Sequence, residues 1–193
     1  MKRALFLALA TMAMVPAAPA FAAAGSDAAI EEAAETLTPN AYVWKDDASS
    51  AEPVTVVVSI PQQRAFVYRG ETLVAASSVS TGKDGKETPT GIYPILQKNQ
   101  NHKSNLYDSA PMPFMQRLTW DGIALHAGRN PGFPASHGCV RLPAGFAKKL
   151  FETTQLGTTV VVTDAFVSGT RLDPELLVTD EMRANQAQIA ALP

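Results

Sequence analysis

From Val54 onward the chain is a succession of short β-branched and aromatic runs, "VTVVVSI", "RAFVYRG" and "TLVAASSVS", broken by turn residues such as Gly70-Glu71. Short strands at this spacing predict an antiparallel β-meander. "TGKDGKETPTG" at 81–91 gathers Gly, Asp, Lys and Pro and reads as a loop. "IYPIL" follows as a short strand whose Pro94 suits a sheet edge or a strand start. The polar stretch "QKNQNHKSNLYD" at 97–108 reads as a surface excursion, and "MQRLTW" with "GIALHA" reads as a hairpin around Asp121-Gly122. In "PAGFAKKLFETTQLG", Pro143 fits a first helical turn, Phe146, Leu150 and Phe151 share one side, and Gly157 ends the helix. "TTVVVTD" adds a strand. The expectation is a mostly β domain over 53–165 with one or two helices. A tail follows over 166–193, where Asp173 ahead of Pro174 offers a helix cap.

The chain starts with Lys2 and Arg3, an apolar run, and Ala20-Phe21-Ala22, the small-x-small form of a signal peptidase site. Residues 1–22 therefore read as a cleaved signal peptide. The apolar run is shorter than the roughly 20 residues a membrane span needs. No transmembrane segment is expected in the exported product. Residues 23–52, rich in Ala, Glu, Asp, Ser and Thr and with "IEEAAETL" as a possible short helix, read as a flexible leader that adds little to the core. Cleavage removes two positive charges and no acid, which moves the net charge from −2 to −4. That balance gives no electrostatic case for nucleic acid, whose partners usually show a clustered basic face. Roughly 170 residues remain, enough for one domain with a substantial core.

Cys139 is the only cysteine in the 193 residues. In an exported protein it has no internal disulfide partner, so reactivity or packing must account for it. A nucleophilic thiol needs a base or a lowered pKa, donors for an oxyanion, and space for substrate. Cys139 stands just ahead of the predicted helix, whose N-terminus would favour thiolate. Gly138 allows close approach, and the amides around Gly138 and Cys139 are candidate oxyanion donors. His126, at the end of "GIAL", is the preferred base, with a backbone carbonyl to orient it because no Asp or Asn adjoins it in sequence. His137, two residues from Cys139, would point away along an extended backbone and takes a supporting role. Two other readings stay open on these residues. Cys139 could be a small buried hydrophobe, or His126, His137 and Cys139 could bind zinc.

Taken together, "TPTGIYPI" at 88–95, "GIALHAG" at 122–128 and "SHGCVRLP" at 136–143 resemble the catalytic domain of the L,D-transpeptidase family, bacterial cell-wall enzymes with a cysteine nucleophile. The resemblance covers about residues 54–164. It implies a β-sandwich with a crossing helix, Cys139 as nucleophile and His126 as base. It further implies an oxyanion site at Gly138 and the Cys139 amide, shaped by Ser136 and His137, and Arg141 on a substrate carboxylate. No cofactor and no metal are implied. The implied substrate is a peptidoglycan stem peptide, cut between its third residue and a terminal D-alanine to leave a Cys139 thioester in the periplasm or cell envelope. A second stem amine would make a cross-link between third-position residues. Water would make a carboxypeptidase, and a lysine of an outer-membrane lipoprotein would make an anchoring enzyme. The interval from His126 to Cys139 is shorter than in many members, which bears on the acceptor side. The reading from another class is a non-catalytic peptidoglycan-binding scaffold, for which a retained thiol has no use.

Overall fold

Two β-sheets organise the protein in the computed structural model, which describes residues 24–190 apart from 47, 48, 106, 107 and 169. The signal segment expected at 1–22 lies outside the described residues. The larger sheet has six strands in the order β1 (Tyr42–Trp44), β4 (Thr72–Ser78), β3 (Arg64–Arg69), β2 (Val54–Ser59), β10 (Thr159–Thr163) and β5 (Gly91–Pro94). The smaller has four, β6 (Gln97–Lys103), β7 (Pro111–Arg117), β8 (Ala124–Ala127) and β9 (Val140–Leu142). Strands β2, β3 and β4 form the antiparallel meander read from the sequence. The sheets are nonetheless mixed, because β10 joins β2 in parallel and β9 joins β8 in parallel. Parallel neighbours need a crossover. The one from β2 to β10 runs through both sheets and ends with α2 (Ala144–Thr153); the one from β8 to β9 is the irregular segment 128–139.

Alternation along β2 explains why a continuous valine run suits its place. Val56 and Val58 enter the core between the sheets, and Val57 enters a second core on the opposite face with Ile30, Phe66 and Leu73. Helix α2 wedges Phe146, Ala147 and Leu150, each 0% exposed, into the first core. Burying a ring such as Phe146 contributes roughly 2–3 kcal/mol. The helix stops at Thr153, four residues before the Gly157 expected to end it, where Thr154 turns to β conformation and its Oγ donates to Leu150 O.

The segment read as a flexible leader is part of the body. Residues 24–35 form α1 (Ala24–Glu35), whose Ile30 and Ala34, one helical turn apart, lie 2% exposed against the large sheet. Arg64 closes the end of that helix, with Nε donating to Ala34 O at 3.0 Å and Nη2 to Leu37 O at 2.6 Å. Strand β1 pairs with β4 and sets Tyr42 and Trp44 edge-on against Phe146, at 5.8 and 5.4 Å between ring centres. Low-hydropathy sequence concealed these anchors because only a few side chains make them.

One further expectation needs correction. The polar stretch 97–103 is strand β6 and not a loose excursion; it is polar because it is an edge strand with mostly exposed side chains. The tail buries Val167 and Leu172 and continues through a short 3-10 helix, Pro174–Leu177, to α3 (Asp180–Ala190). Asp173 Oδ1 accepts from Glu175 N–H at 2.9 Å, as expected of a cap. Among the described residues of 53–165 there is one α-helix, α2, within the one or two expected there, and α1 and α3 lie on either side of that span.

Candidate active site

The period of two along β8 and β9 sorts their side chains. Leu125 and Ala127 of β8, and Val140 and Leu142 of β9, point into the core between the sheets. His126 must then face the other way, together with Arg141, its register partner in the parallel ladder. Cys139 precedes Val140 and shares the face of Arg141. It lies diagonally across the ladder from His126, two residues before that residue's register partner Arg141. His126, Cys139, Arg141, Ser136 and His137 all line one cavity of about 440 Å³.

Backbone groups of the turn between β7 and β8 hold the thiol. Its S–H donates to Gly122 O at 3.2 Å, while Ala124 N–H is directed at the sulfur. Burial pushes the Cys139 pKa up, against smaller lowering effects from that N–H and from Arg141 and Arg117. His126, 7% exposed, has Nδ1 2.8 Å from Ala127 O. A carbonyl can only accept, so Nδ1 carries the hydrogen and Nε2 presents its lone pair. Burial lowers the His126 pKa; the Ala127 bond opposes this, and the charge of Arg141 adds to it. Both shifts favour a neutral thiol beside a neutral imidazole.

This corrects the expected helix effect. Strand β9 stands between Cys139 and α2, roughly 10 Å of extended chain, so the helix end is remote from the sulfur. The argument that His137 points away also lapses, because the backbone bends at Gly138, φ +113°, and the exposed His137 lines the same cavity. His126 differs from it in being buried and held.

The turn 136–139 is clamped from within and from outside. Ser136 Oγ donates to Cys139 O at 2.5 Å and accepts from Gly138 N–H at 3.1 Å. The Gly138 amide, one of the donors expected for an oxyanion, is thus committed to Ser136. The Cys139 N–H has no acceptor among the described residues. A Cβ on Gly138 would come within 2.8 Å of Ile123 Cδ1, so both its φ and its surroundings require glycine. Gly128 leaves room for the Arg141 stem, whose Cγ would be 3.2 Å from a Cβ there.

Thr88 was not foreseen as a site residue. It is 3% exposed, donates from Oγ1 to Gly138 O at 2.8 Å, and accepts from Gly82 N–H at 2.9 Å. Thr81 O accepts from both Ala135 and Ser136 N–H at 3.0 Å, and Ser80 bridges to Arg141. The loop 81–91 is therefore the brace behind the thiol turn. Its signal in the sequence was "TPTG", noticed as a motif without a task. Among the described residues no group of three or more His, Cys, Asp or Glu side chains is placed to hold a metal ion. No helix among them is long and apolar enough to cross a membrane.

The L,D-transpeptidase catalytic domain model matches residues 53–162. Among curated proteins none matches the chain. An L,D-transpeptidase from Stackebrandtia nassauensis is similar in structure, with 29% identity, a TM-score of 0.54, and coverage of 62% of this chain and 58% of that one. An L,D-transpeptidase from Mycobacterium tuberculosis H37Rv shares the fold at 22% identity and a TM-score of 0.52, covering 57% of each chain. A third, the L,D-transpeptidase LdtMt1 in complex with imipenem, shares the fold at 22% identity and a TM-score of 0.54, covering 58% of this chain and 59% of that one. The chain spans less than two thirds of the length of each. Because the family model takes in more than half of the chain and every segment around the thiol cavity from the 81–91 loop through β9, this chain belongs to the family of L,D-transpeptidase catalytic domains.

Proposed function

We propose that the chain is an exported cysteine L,D-transpeptidase of the cell envelope, acting on peptidoglycan stem peptides through a Cys139 thioester. The observation that carries this reading is the pair on the β8–β9 face: a thiol diagonal to an imidazole whose Nδ1–H is locked on Ala127 O. A non-catalytic scaffold has no use for that tautomer. Arg141 and Arg129 line the same cavity and suit the carboxylates of a stem peptide.

The chemistry follows from the neutral pair. Sγ attacks the carbonyl carbon of the third stem residue as its proton passes to His126 Nε2, so no resting thiolate is needed. The developing oxyanion takes the Cys139 N–H. Collapse breaks the bond to D-alanine, whose amine leaves with the proton from His126, and the thioester remains. An incoming amine of a second stem then attacks the thioester carbonyl and gives its proton to His126. The thiolate departs and is reprotonated by the imidazolium, leaving a cross-link between third-position residues.

The test is intact-mass spectrometry of the full chain with imipenem and, separately, with a tetrapeptide stem. We expect a covalent adduct on Cys139, none on Cys139→Ser, and a peptide dimer joined through third residues. Absence of both the imipenem adduct and the stem thioester in the wild-type chain would rule out the enzymatic reading. Tripeptide without dimer would make it a carboxypeptidase, and product on a lipoprotein lysine would make it an anchoring enzyme.

A further inference from the structure

The chain between β8 and β9 has no regular structure over 128–139, yet it brings Arg129 into the thiol cavity. Such a segment keeps one shape only where its polar groups are tied to something else. Arg129 itself is exposed and pairs with no acidic side chain among the described residues. Its backbone is pinned on both sides. Before it, Gly128 N–H donates to Leu142 O at 3.0 Å; after it stands Asn130, a polar residue only 1% exposed.

Asn130 is the hub of that fixing. Its Nδ2 donates to Ser78 Oγ at 3.1 Å, at the end of β4, and its Oδ1 accepts from Gly132 N–H at 3.0 Å. Its backbone carbonyl accepts from Asn40 Nδ2 at 3.0 Å, across 90 residues of chain. Asn40 belongs to the segment read from the sequence as a flexible leader, and it lies ahead of the residues 53–162 matched to the family. Its φ of +63° is in the left-handed region, which asparagine tolerates better than most residues. Pro39 beside it lies against Gly132, where a Cβ would come within 2.6 Å of Pro39 Cγ. Ser78 Oγ in turn donates to Ala41 O at 3.1 Å, so the leader and the end of β4 grip the loop together. These hydrogen bonds involve neither Cys139 nor His126, and Thr81 and Thr88 brace the thiol turn separately. What they fix is the root of Arg129.

We infer that Asn130 is a positioning residue and Asn40 its clamp, so that the leader sets where Arg129 stands in the thiol cavity and thereby the affinity for a carboxylate of the donor peptide. This rests on the transpeptidase reading above and adds to it a control on donor binding that comes from outside the catalytic span. A guanidinium grips a carboxylate through two parallel hydrogen bonds, and a small displacement of its root misaligns both. The leader therefore acts on binding and leaves the thiol and the imidazole as they are.

The experiment follows thioester formation on the full chain from a tetrapeptide stem, which gives a KM for the donor and a limiting rate. Asn40→Gly accepts the same positive φ and removes only the side-chain bond to Asn130 O. We expect its KM to rise about fivefold, the loss typical of one hydrogen bond, with the limiting rate unchanged. Asn130→Ala, which strands Gly132 N–H, should raise KM further; if it fails to fold, Asn40→Gly decides alone. Arg129→Gln should raise KM at least about tenfold. Adding Asn40→Gly to Arg129→Gln should then change nothing more, because the clamp acts through the guanidinium. A merely structural role would give the same rise in KM with and without that guanidinium, and this result would overturn the inference. So would a fall in the limiting rate in place of a rise in KM, or no change in either. A wild-type chain that forms no thioester would remove the transpeptidase reading and this inference with it, an outcome that no shift in KM can imitate.

Discussion

The two sheets divide the labour of this molecule. Strands β2, β3, β4 and β10 of the larger sheet are almost wholly buried, because α1 and the tail cover one face while the smaller sheet and α2 cover the other. The smaller sheet packs one face on the core between the sheets, and its other face buries only the small cluster of Met112, Met115 and Ala124. That second face opens into the thiol cavity, and the edge strand β6 is mostly exposed. A sheet covered twice is selected for packing, and its valines and alanines carry no chemistry. A sheet whose second face borders a cleft can place side chains in it while its core-facing residues keep them still. Stability and reactivity should therefore separate by mutation.

The largest effect belongs to the cleft face. Cys139→Ala should abolish acylation, a loss of at least about 10⁴-fold, because no other group in the cavity forms the thioester. Its thermal midpoint should stay near that of the wild type; a large fall would mean that the thiol is a core residue. The interlayer core answers in the opposite manner. Phe146→Ala should cost about 3–5 kcal/mol in denaturant unfolding, since it leaves a cavity under Tyr42 and Trp44. The fraction that remains folded should acylate at close to the normal rate. A collapse of that rate would show that α2 positions the site as well as filling the core.

Thr88 lies on the boundary between the two roles. Thr88→Val keeps the shape but strands Gly82 N–H and removes the donor to Gly138 O, which should cost about 1–3 kcal/mol. It should also slow acylation more than a surface substitution of equal stability cost would. An equal slowing would reduce Thr88 to packing. The smallest effect is a displaced pH limb. His126 is a base only when neutral, and burial lowers its pKa below the ordinary 6.5, so the acid limb of acylation should fall below pH 6.5. The thiol is pushed above its ordinary 9.0, so no thiolate plateau should appear near neutrality. An acid limb at or above pH 7 would mean that the imidazole is charged in the resting protein and would erase the neutral-pair mechanism.

Much of the site was visible before folding. "GIALHA" reads as a hairpin strand that carries His126, and "SHGC" as the turn that presents the thiol. The meander was equally legible in its β-branched runs. The helix-capped thiol failed because "VRL" is too short to announce itself as a strand between Cys139 and α2. The leader failed because α1 relies on two apolar contacts and on an arginine from another strand. Thr88 was hidden because its partner Gly138 is 50 residues away.

Local chemistry along the chain sufficed to single out the thiol, the imidazole and the meander, since side-chain alternation and turn preference depend on neighbouring residues alone. The folded chain was needed to choose Ala127 O as the partner of His126, to turn the Gly138 amide onto Ser136, and to push the thiol pKa up by burial. Those outcomes depend on burial and on contacts between residues far apart in sequence, and both come into being only when the two sheets close on each other.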